Sequence, residues 1–486
     1  MLYRSTRGHS APVNSAQAVL RGLAGDGGLY MMEALPAFDA EACLKKDTFG
    51  MADQILSALL PDIGGMDELV RKAYTGKFET DELTPTVKVG NFTVLELFRG
   101  PTSAFKDVAR CMLPQLLTAA KAEQGMAEEI RILTATSGDT GKAALAGFAD
   151  VDGVSICVFY PHGGVSAVQR AQMVTQKGGN VHVCAVEGNF DDAQTGVKKI
   201  FAACQDGELL KDKGFRLSSA NSINIGRLAP QLTYNFKAYR DLLDRGEIRM
   251  GDKVNFCVPT GNFGDILAGY LAKLLGLPVG RLICASNANN VLTDYIRTGT
   301  YDRRRALHKT DSPSMDILVS SNLERLLYLM SGQDAQLVDG LMKDLNEKGV
   351  YTVPETLKAA IDAEFWADYC GDDATAETIG KVWKENGYLC DTHTAVAWAV
   401  AENYVNQTGD HAPMVVLSTA SPYKFPAAVL KAIGGSAEGD EFRQMEQLHE
   451  ITGVAIPKNL SGLQTLPERH TGVIGKDQML SFVLES

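Results

Sequence analysis

From Lys106 to about residue 419, short apolar runs alternate with amphipathic stretches, and no other feature of the sequence restricts the fold so strongly. The runs 130–136, 154–160, 181–186, 254–259, 281–285 and 414–419 read as strands. Between them, 142–148, 165–176, 191–203, 227–243 and 265–275 repeat apolar residues at helical spacing. Apolar strands separated by amphipathic helices predict parallel sheets covered by helices on both faces. In such sheets a ligand sits beyond the carboxyl ends of the strands, which singles out the loops after Thr136, Pro259 and Thr419.

At 486 residues the chain is long enough for two or three domains. A mixed α+β segment is expected over 1–90, an α/β lobe over 91–225, and a second α/β lobe over 226–486 with a helical insertion at about 323–407. Within the first segment the pattern predicts helices near 15–23, 51–60 and 66–74, with a glycine turn at 25–28. Residues 87–98 alternate as a strand pair about Gly90-Asn91. Glu324, Arg325, Lys343 and Asp344 are expected as exposed charges on the insertion. Pro114 is expected to interrupt the helix that follows Lys106. The stretch after Gly434 begins acidic and ends apolar at 479–484.

Charge and composition exclude several classes. Lys and Arg number 47 against 59 Asp and Glu, a formal charge of −12, and no basic tract suits nucleic acid or an anionic membrane. An anionic substrate therefore has to be held by local groups against the overall field. No stretch approaches the ~20 apolar residues of a bilayer span, and the start MLYRSTRGHS has no apolar signal core. The nine cysteines form no Cys-x-x-Cys pair, and the eight histidines have no metal-ligand spacing. Buried thiols in a cytoplasmic enzyme or binding protein, without a metal, fit this usage.

Four places carry chemistry. Lys106 lies in FRGPTSAFKD (98–107), behind a Gly100-Pro101 turn and at the start of a helix marked by Val108, Met112, Leu113, Leu116 and Leu117. The helix dipole and the neighbouring Phe105 both disfavour a charged lysine there. A neutral amine can form a Schiff base with an aldehyde cofactor, although a solvated helix-start lysine fits the same position. The loop 136–142, TSGDTGK, fails the phosphate-loop pattern at Thr136 and Ala143. It reads either as a small polar βα turn or as a cradle for a carboxylate. VPTGNFGD (258–265) runs from an apolar strand through glycines into a strong helix, which suits an anion. The Gly-x-Gly-x-x-Gly of dinucleotide folds is absent. Asp265 is expected to cap that helix or fix the loop. LSTASP (417–422) brings hydroxyls to a strand end. His393, in DTHT, reads as a general acid or base or as a structural histidine.

Together these motifs resemble the threonine synthase family, in the long form of many bacteria and fungi. The resemblance rests on YRSTRG (3–8), GDGGLY (25–30), PTSAFKD (101–107), ATSGDTG (135–141), VEGNFDD (186–192), NSIN (221–224), PTGNFGDILAGY (259–270), SPSMDI (312–317), DTHTAVA (391–397) and LSTA (417–420). It implies a fold-type II, tryptophan synthase β-like α/β architecture. Two parallel-sheet lobes would enclose pyridoxal 5'-phosphate beside the mixed N-terminal segment. By motif, Lys106 would carry the cofactor as a Schiff base. Gly261, Asn262, Phe263, Gly264 and Asp265 would hold its phosphate, and Thr419 would face its ring nitrogen. Ser137, Gly138, Asp139 and Thr140 would bind the substrate carboxylate.

The implied reaction is the last step of threonine biosynthesis, a lyase reaction that turns O-phospho-L-homoserine and water into L-threonine and phosphate. The implied partner is that small molecule alone, with neither nucleic acid nor membrane, acting on a monomer or small homo-oligomer. The alternatives are another fold-type II lyase such as a threonine dehydratase, and an inactive relative that binds phosphorylated ligands. Ser421 stands where the family often has histidine, Lys142 where it has a small residue, and Ile225-Gly226 where it often has Trp-Ala. His162-Gly163-Gly164 replaces a more basic loop. For the substrate phosphate, Lys142 and Arg227 are candidates, and a helix-packing role is the alternative for each.

Overall fold

Two parallel sheets take up the apolar runs, and the partners that the strands choose decide where the loops meet. The computed structural model describes residues 1–136, 139–204 and 208–486. The larger sheet has the order Phe365–Tyr369, Val279–Ser286, Val254–Pro259, Met414–Ser418, Phe92–Glu96, Thr86–Val89. All neighbours are parallel except the last pair, an antiparallel hairpin turning at Gly90. The smaller sheet is parallel throughout, in the order Val473–Ile474, Val181–Val186, Val154–Pro161, Glu129–Ala135, Phe215–Ser218.

Both sheets are apolar on both faces because both faces are covered. In the larger one, Phe256 and Val258 enter the main core with Leu267 and Leu271 of the helix Gly264–Leu274. Cys257, pointing the other way, packs with Ala397 and Ala401 of the helix Thr392–Thr408. In the smaller sheet Ile156 and Val158 join the main core, whereas Cys157 and Phe159 meet Val197 and Ile200 of the helix Phe190–Ala203. Each large side chain so buried contributes about 1.5–3 kcal/mol. All nine cysteines are buried and none forms a disulfide. Among the described residues no helix is long and apolar enough to cross a membrane.

The N-terminal segment forms a small antiparallel sheet of Val13–Asn14, Leu2–Ser5 and Tyr30–Met32, followed by helices. Asn14 and Gln17 cap the helix Ser15–Arg21 reciprocally. This helix and Met66–Tyr74 pack against Lys106–Glu123, where the Tyr74 hydroxyl donates to the Val108 carbonyl at 3.0 Å. The segment thus supports the helix that Lys106 begins.

Four expectations change. Residues 91–96 do not belong with the following lobe, because Phe92–Glu96 pairs with Met414–Ser418, in register from Thr93 with Val415. Lys106 and the 260–265 turn therefore follow strands of one sheet rather than of separate lobes. Conversely, the chain end returns to the smaller sheet through Val473–Ile474. The stretch expected as helical insertion contains Phe365–Tyr369, an edge strand paired with Val279–Ser286. Its Glu324 and Arg325 are buried, not exposed, because Arg7 and backbone carbonyls neutralise and solvate them.

The fourth concerns Pro114, which lies inside an unbroken helix, Lys106–Glu123. Proline removes the donor to the Arg110 carbonyl, and Gly147 of the helix Asp139–Phe148 lies against that oxygen, so close that a Cβ would overlap it. We expect Gly147→Ala to force these helices apart and cost about 1–3 kcal/mol, read as a lowered midpoint in thermal unfolding. An unchanged midpoint would show that the helices do not depend on this contact.

Candidate active site

Three adjacent parallel strands, Phe92–Glu96, Met414–Ser418 and Val254–Pro259, end on the same side of the larger sheet. Their outgoing loops are 97–105, 419–425 and 260–263. With strands about 4.8 Å apart, these loops lie within roughly 10 Å of one another.

The first loop is fixed at nearly every residue. Gly100 lies so close to Asp107 that a Cβ would come within 2.6 Å of the Asp107 Cβ. The buried Asp107 carboxylate accepts from the Thr102 N–H at 2.8 Å and from the Thr102 hydroxyl at 2.5 Å. Burial raises its pKa, and the Thr102 hydrogen bonds and Lys424 oppose this. Ser103 is left-handed, with φ 57°. The loop is then stitched to the second one: Ser421 N–H donates to Ser103 O at 3.1 Å, Ala104 bridges Ala420, and Phe105 N–H donates to Thr419 O at 2.9 Å. Lys106 follows as the first helical residue, half-buried, its Nζ 5.3 Å from the centre of the Phe105 ring. Ser421, the departure from the family pattern, holds the lysine loop through its backbone and caps the turn 422–424 through its hydroxyl, which accepts from the Tyr423 N–H at 3.3 Å.

The third loop turns at Phe263, a buried aromatic residue with φ 63°, and no side chain caps the helix Gly264–Leu274 that it starts. A bulky residue in this region is strained and persists only where its surroundings hold it. Asn322 supplies that hold, donating from both its backbone N–H and Nδ2 to the Asn262 carbonyl at 3.0 and 3.1 Å, while the Ser320 hydroxyl donates to Gly261 O at 2.8 Å. Gly261 is needed because a Cβ would meet Ser314 O at 2.7 Å. An uncapped first turn behind a glycine loop leaves backbone N–H groups that can receive an anion.

Asp265 does not cap this helix. Its carboxyl is buried, accepts from the Tyr234 hydroxyl at 2.5 Å, and leaves Oδ2 without a hydrogen bond among the described residues. Burial pushes its pKa up to about 7, with the Tyr234 bond pulling the other way. A carboxyl that is partly neutral near neutral pH repels an anion in this turn less than a carboxylate does.

His393 has no spare ring nitrogen. Nδ1 lies 2.7 Å from Asp391 Oδ2, and Nε2 accepts from the Ser314 N–H at 3.1 Å. It therefore holds the 312–317 turn against Gly261, the structural of the two readings. Of the loop expected to bind a carboxylate, Ser137, Gly138 and the side chains of Asp139 and Thr140 lie outside the described residues. Thr136, at its entrance, accepts from the Gly141 N–H at 2.8 Å.

Further cations gather around Asp107. Lys142 donates to Gln176 Oε1 at 2.5 Å, and burial draws its pKa down to about 8 against the field of Asp107. Arg227 is buried and donates from Nη1 to Ala220 O at 2.6 Å, while its Nε makes no hydrogen bond among the described residues. Burial and then the like charge of Arg110 lower its pKa well below the usual range, and Asp107 opposes them. Arg110, one turn after Lys106 on the same helix, had no signal in the sequence beyond that spacing. Arg325 is not the surface charge that the sequence predicts. It is fully buried and donates to the Tyr30 and Ile223 carbonyls and to Asn322 Oδ1, tying the 25–30 and 221–224 motifs to the residue that holds the third loop.

Comparison with known proteins agrees with this geometry. Residues 2–74 match the model "Threonine synthase N terminus", 74–420 match "Pyridoxal-phosphate dependent enzyme", and 394–480 match "Threonine synthase, C-terminal". The chain is 40% identical over 483 residues to threonine synthase from Pseudomonas aeruginosa, covering 97% of this chain and 98% of that one. It is 40% identical over 439 residues to threonine synthase-like 1 from Macaca fascicularis, covering 86% of this chain but spanning only 58% of that longer protein. The crystal structure of PLP-bound threonine synthase from Brucella melitensis superposes with a TM-score of 0.87 at 40% identity, covering 100% of this chain and 98% of that one. The chain belongs to the threonine synthase family of fold-type II, pyridoxal-phosphate-dependent enzymes.

Proposed function

We propose that this protein converts O-phospho-L-homoserine and water to L-threonine and phosphate. The observation that carries the reading is that the loop leading into Lys106 and an uncapped glycine turn, 261–265, leave the same end of one sheet, with one strand between them. That pairing fits pyridoxal phosphate, with Lys106 as its covalent anchor and the first-turn N–H groups of Gly264–Leu274 as donors to its phosphate. Asn262 and Phe263 shape the turn, and Gly261 and Gly264 leave room for close approach. Thr419, whose backbone is bonded to the lysine loop, is the proposed partner of the ring nitrogen.

When bound, the cofactor withdraws electrons from the substrate's α-carbon and makes its proton removable. The chain's own groups do the rest. The Lys106 amine takes the α-proton and then a β-proton, whose bonding electrons let the phosphate leave the γ-carbon; protons are returned to the γ-carbon and, after water adds its oxygen at the β-carbon, to the α-carbon. Arg227, Lys142 and Arg110 are the proposed holders of the departing phosphate. Burial and the nearby Arg110 both disfavour the charge of Arg227, so an anion beside it is stabilising, which also answers how a chain of charge −12 retains an anionic substrate. The loop 137–140, including Ser137, Gly138, Asp139 and Thr140, is proposed to take the amino-acid carboxylate.

Three outcomes follow. Lys106→Ala should lose the visible absorbance of bound cofactor and lower phosphate release from O-phosphohomoserine by at least about 10²-fold. Wild-type turnover in that variant would remove Lys106 from the mechanism. Arg227→Gln should raise KM for O-phosphohomoserine by about 10- to 100-fold, the worth of a charged hydrogen bond, and leave cofactor absorbance intact. An unchanged KM would assign the phosphate elsewhere.

Asp265 gives a pH signature. Its folded pKa of about 7 lies above the unfolded value, so its stabilising contribution is full below the unfolded pKa and is lost as pH rises through about 7. With the cofactor removed, the thermal midpoint of wild type should therefore fall relative to Asp265→Asn between about pH 4 and 7 and run parallel above that. Curves parallel throughout would show that this carboxyl titrates normally.

A further inference from the structure

The segment after the helix Glu441–Thr452 makes a contact that no motif of the sequence announces. It leaves the larger lobe with Val454 and Ile456 packed on the core beneath Thr392–Thr408, and Leu460 fully buried. Between them Asn459 reaches the lysine loop. Its Nδ2 donates to the Pro101 carbonyl at 2.8 Å, and its Oδ1 accepts from the Ser103 hydroxyl at 3.0 Å. The segment then crosses to the smaller lobe. Glu468 pairs with both Nη atoms of Arg170, and the Arg469 and His470 N–H groups both donate to Val174 O. His470 Nε2 donates to the carbonyl of Gln176, whose side chain holds Lys142.

Asn459 touches the loop at its point of strain. Ser103 is buried, non-glycine and left-handed, a conformation that persists only when its surroundings over-determine it. Thr102 is fixed from inside by Asp107, and Ala104 and Phe105 by the 419–421 backbone. Asn459 is what holds the Pro101 carbonyl and the Ser103 hydroxyl together. An amide suits this pair, with one donor for the carbonyl and one acceptor for the hydroxyl. A carboxylate would set two acceptors against each other at Pro101.

We propose that Asn459 is a positioning residue for Lys106: by clamping Pro101 and Ser103 it fixes the turn that sets the direction of the lysine side chain. This rests on the assignment of Lys106 as cofactor anchor, which Lys106→Ala tests separately. Failure of that variant to lose cofactor absorbance would refute the anchor, whereas the tests below address the clamp alone.

In the cofactor-loaded enzyme, Asn459→Ala, which loses both hydrogen bonds, and Asn459→Asp, which loses the Pro101 bond and sets a carboxylate oxygen against that carbonyl, should each lower kcat about tenfold. KM should stay within about threefold. The visible band of bound cofactor should titrate at a shifted pH, because that band reports the surroundings of the Lys106 nitrogen. Ser103→Ala, which keeps Asn459 but removes one arm of the clamp, should produce a smaller change in the same direction. The double variant Ser103→Ala/Asn459→Ala should fall no further than Asn459→Ala alone. Glu468→Gln, which loosens the same segment away from the turn, should lower thermal stability and leave kcat and the band unchanged. The proposal is overturned if Asn459→Ala keeps the wild-type band and kcat within about twofold, or if the effects of the two single variants multiply. It is also overturned if Glu468→Gln reproduces the effect of Asn459→Ala, since the segment would then act by general stability.

Discussion

A backbone hydrogen bond of 2.9 Å, from the Phe105 N–H to the Thr419 carbonyl, joins the loop before Lys106 to the loop after the neighbouring strand. Phe92–Glu96 and Met414–Ser418 run parallel, so their outgoing loops leave on one side and can be sewn together. The next strand, Val254–Pro259, opens onto the glycine turn in the same direction. The lysine loop and the glycine turn thus leave one sheet, two strands apart.

Burial sets the electrostatics around this frame. Asp107 and Asp265 both have raised pKa values because they are buried, and Lys142 and Arg227 have lowered ones for the same reason. Each shift reduces charge where no ligand compensates it. An anion beside Arg227 would oppose the loss of charge that burial favours there, whereas an anion in the 261–265 turn would keep Asp265 neutral. Arg325 illustrates the alternative solution. It is equally buried, but carbonyls of Tyr30 and Ile223 and the amide of Asn322 satisfy it, so it acts as a tie.

Much of the frame is legible in the sequence, for identifiable reasons. A strand buried on both faces must be apolar throughout, so 254–259 and 181–186 coincide with observed strands, and the helix 66–74 is marked by its own spacing. Glycine turns after strands are equally plain, since only backbone needs such as those at Gly100 and Gly261 explain them. Pairing is a different matter. Nothing local tells Phe92–Glu96 that its partner is Met414–Ser418, so the lobe boundaries were misplaced. Phe365–Tyr369 is short and bears Asp368 and an exposed Tyr369, as an edge strand can, and so it read as part of a helical region. Pro114 looked like a helix break because the glycine that accommodates it sits on another helix. Arg325 looked like a surface charge because its partners are carbonyls, and Asn459 carried no signal because its partners are far away in sequence. Contacts of that kind exist only after folding.

The proposed reaction determines where the oxygen of water ends up. O-Phospho-L-homoserine should be turned over in water enriched in heavy oxygen, and the products analysed by mass spectrometry. If Lys106 and the buried cations act as described, the label enters the β-hydroxyl of L-threonine, and the released phosphate stays unlabelled because its carbon–oxygen bond breaks. Labelled phosphate together with homoserine would mean simple hydrolysis at phosphorus, and would contradict the account.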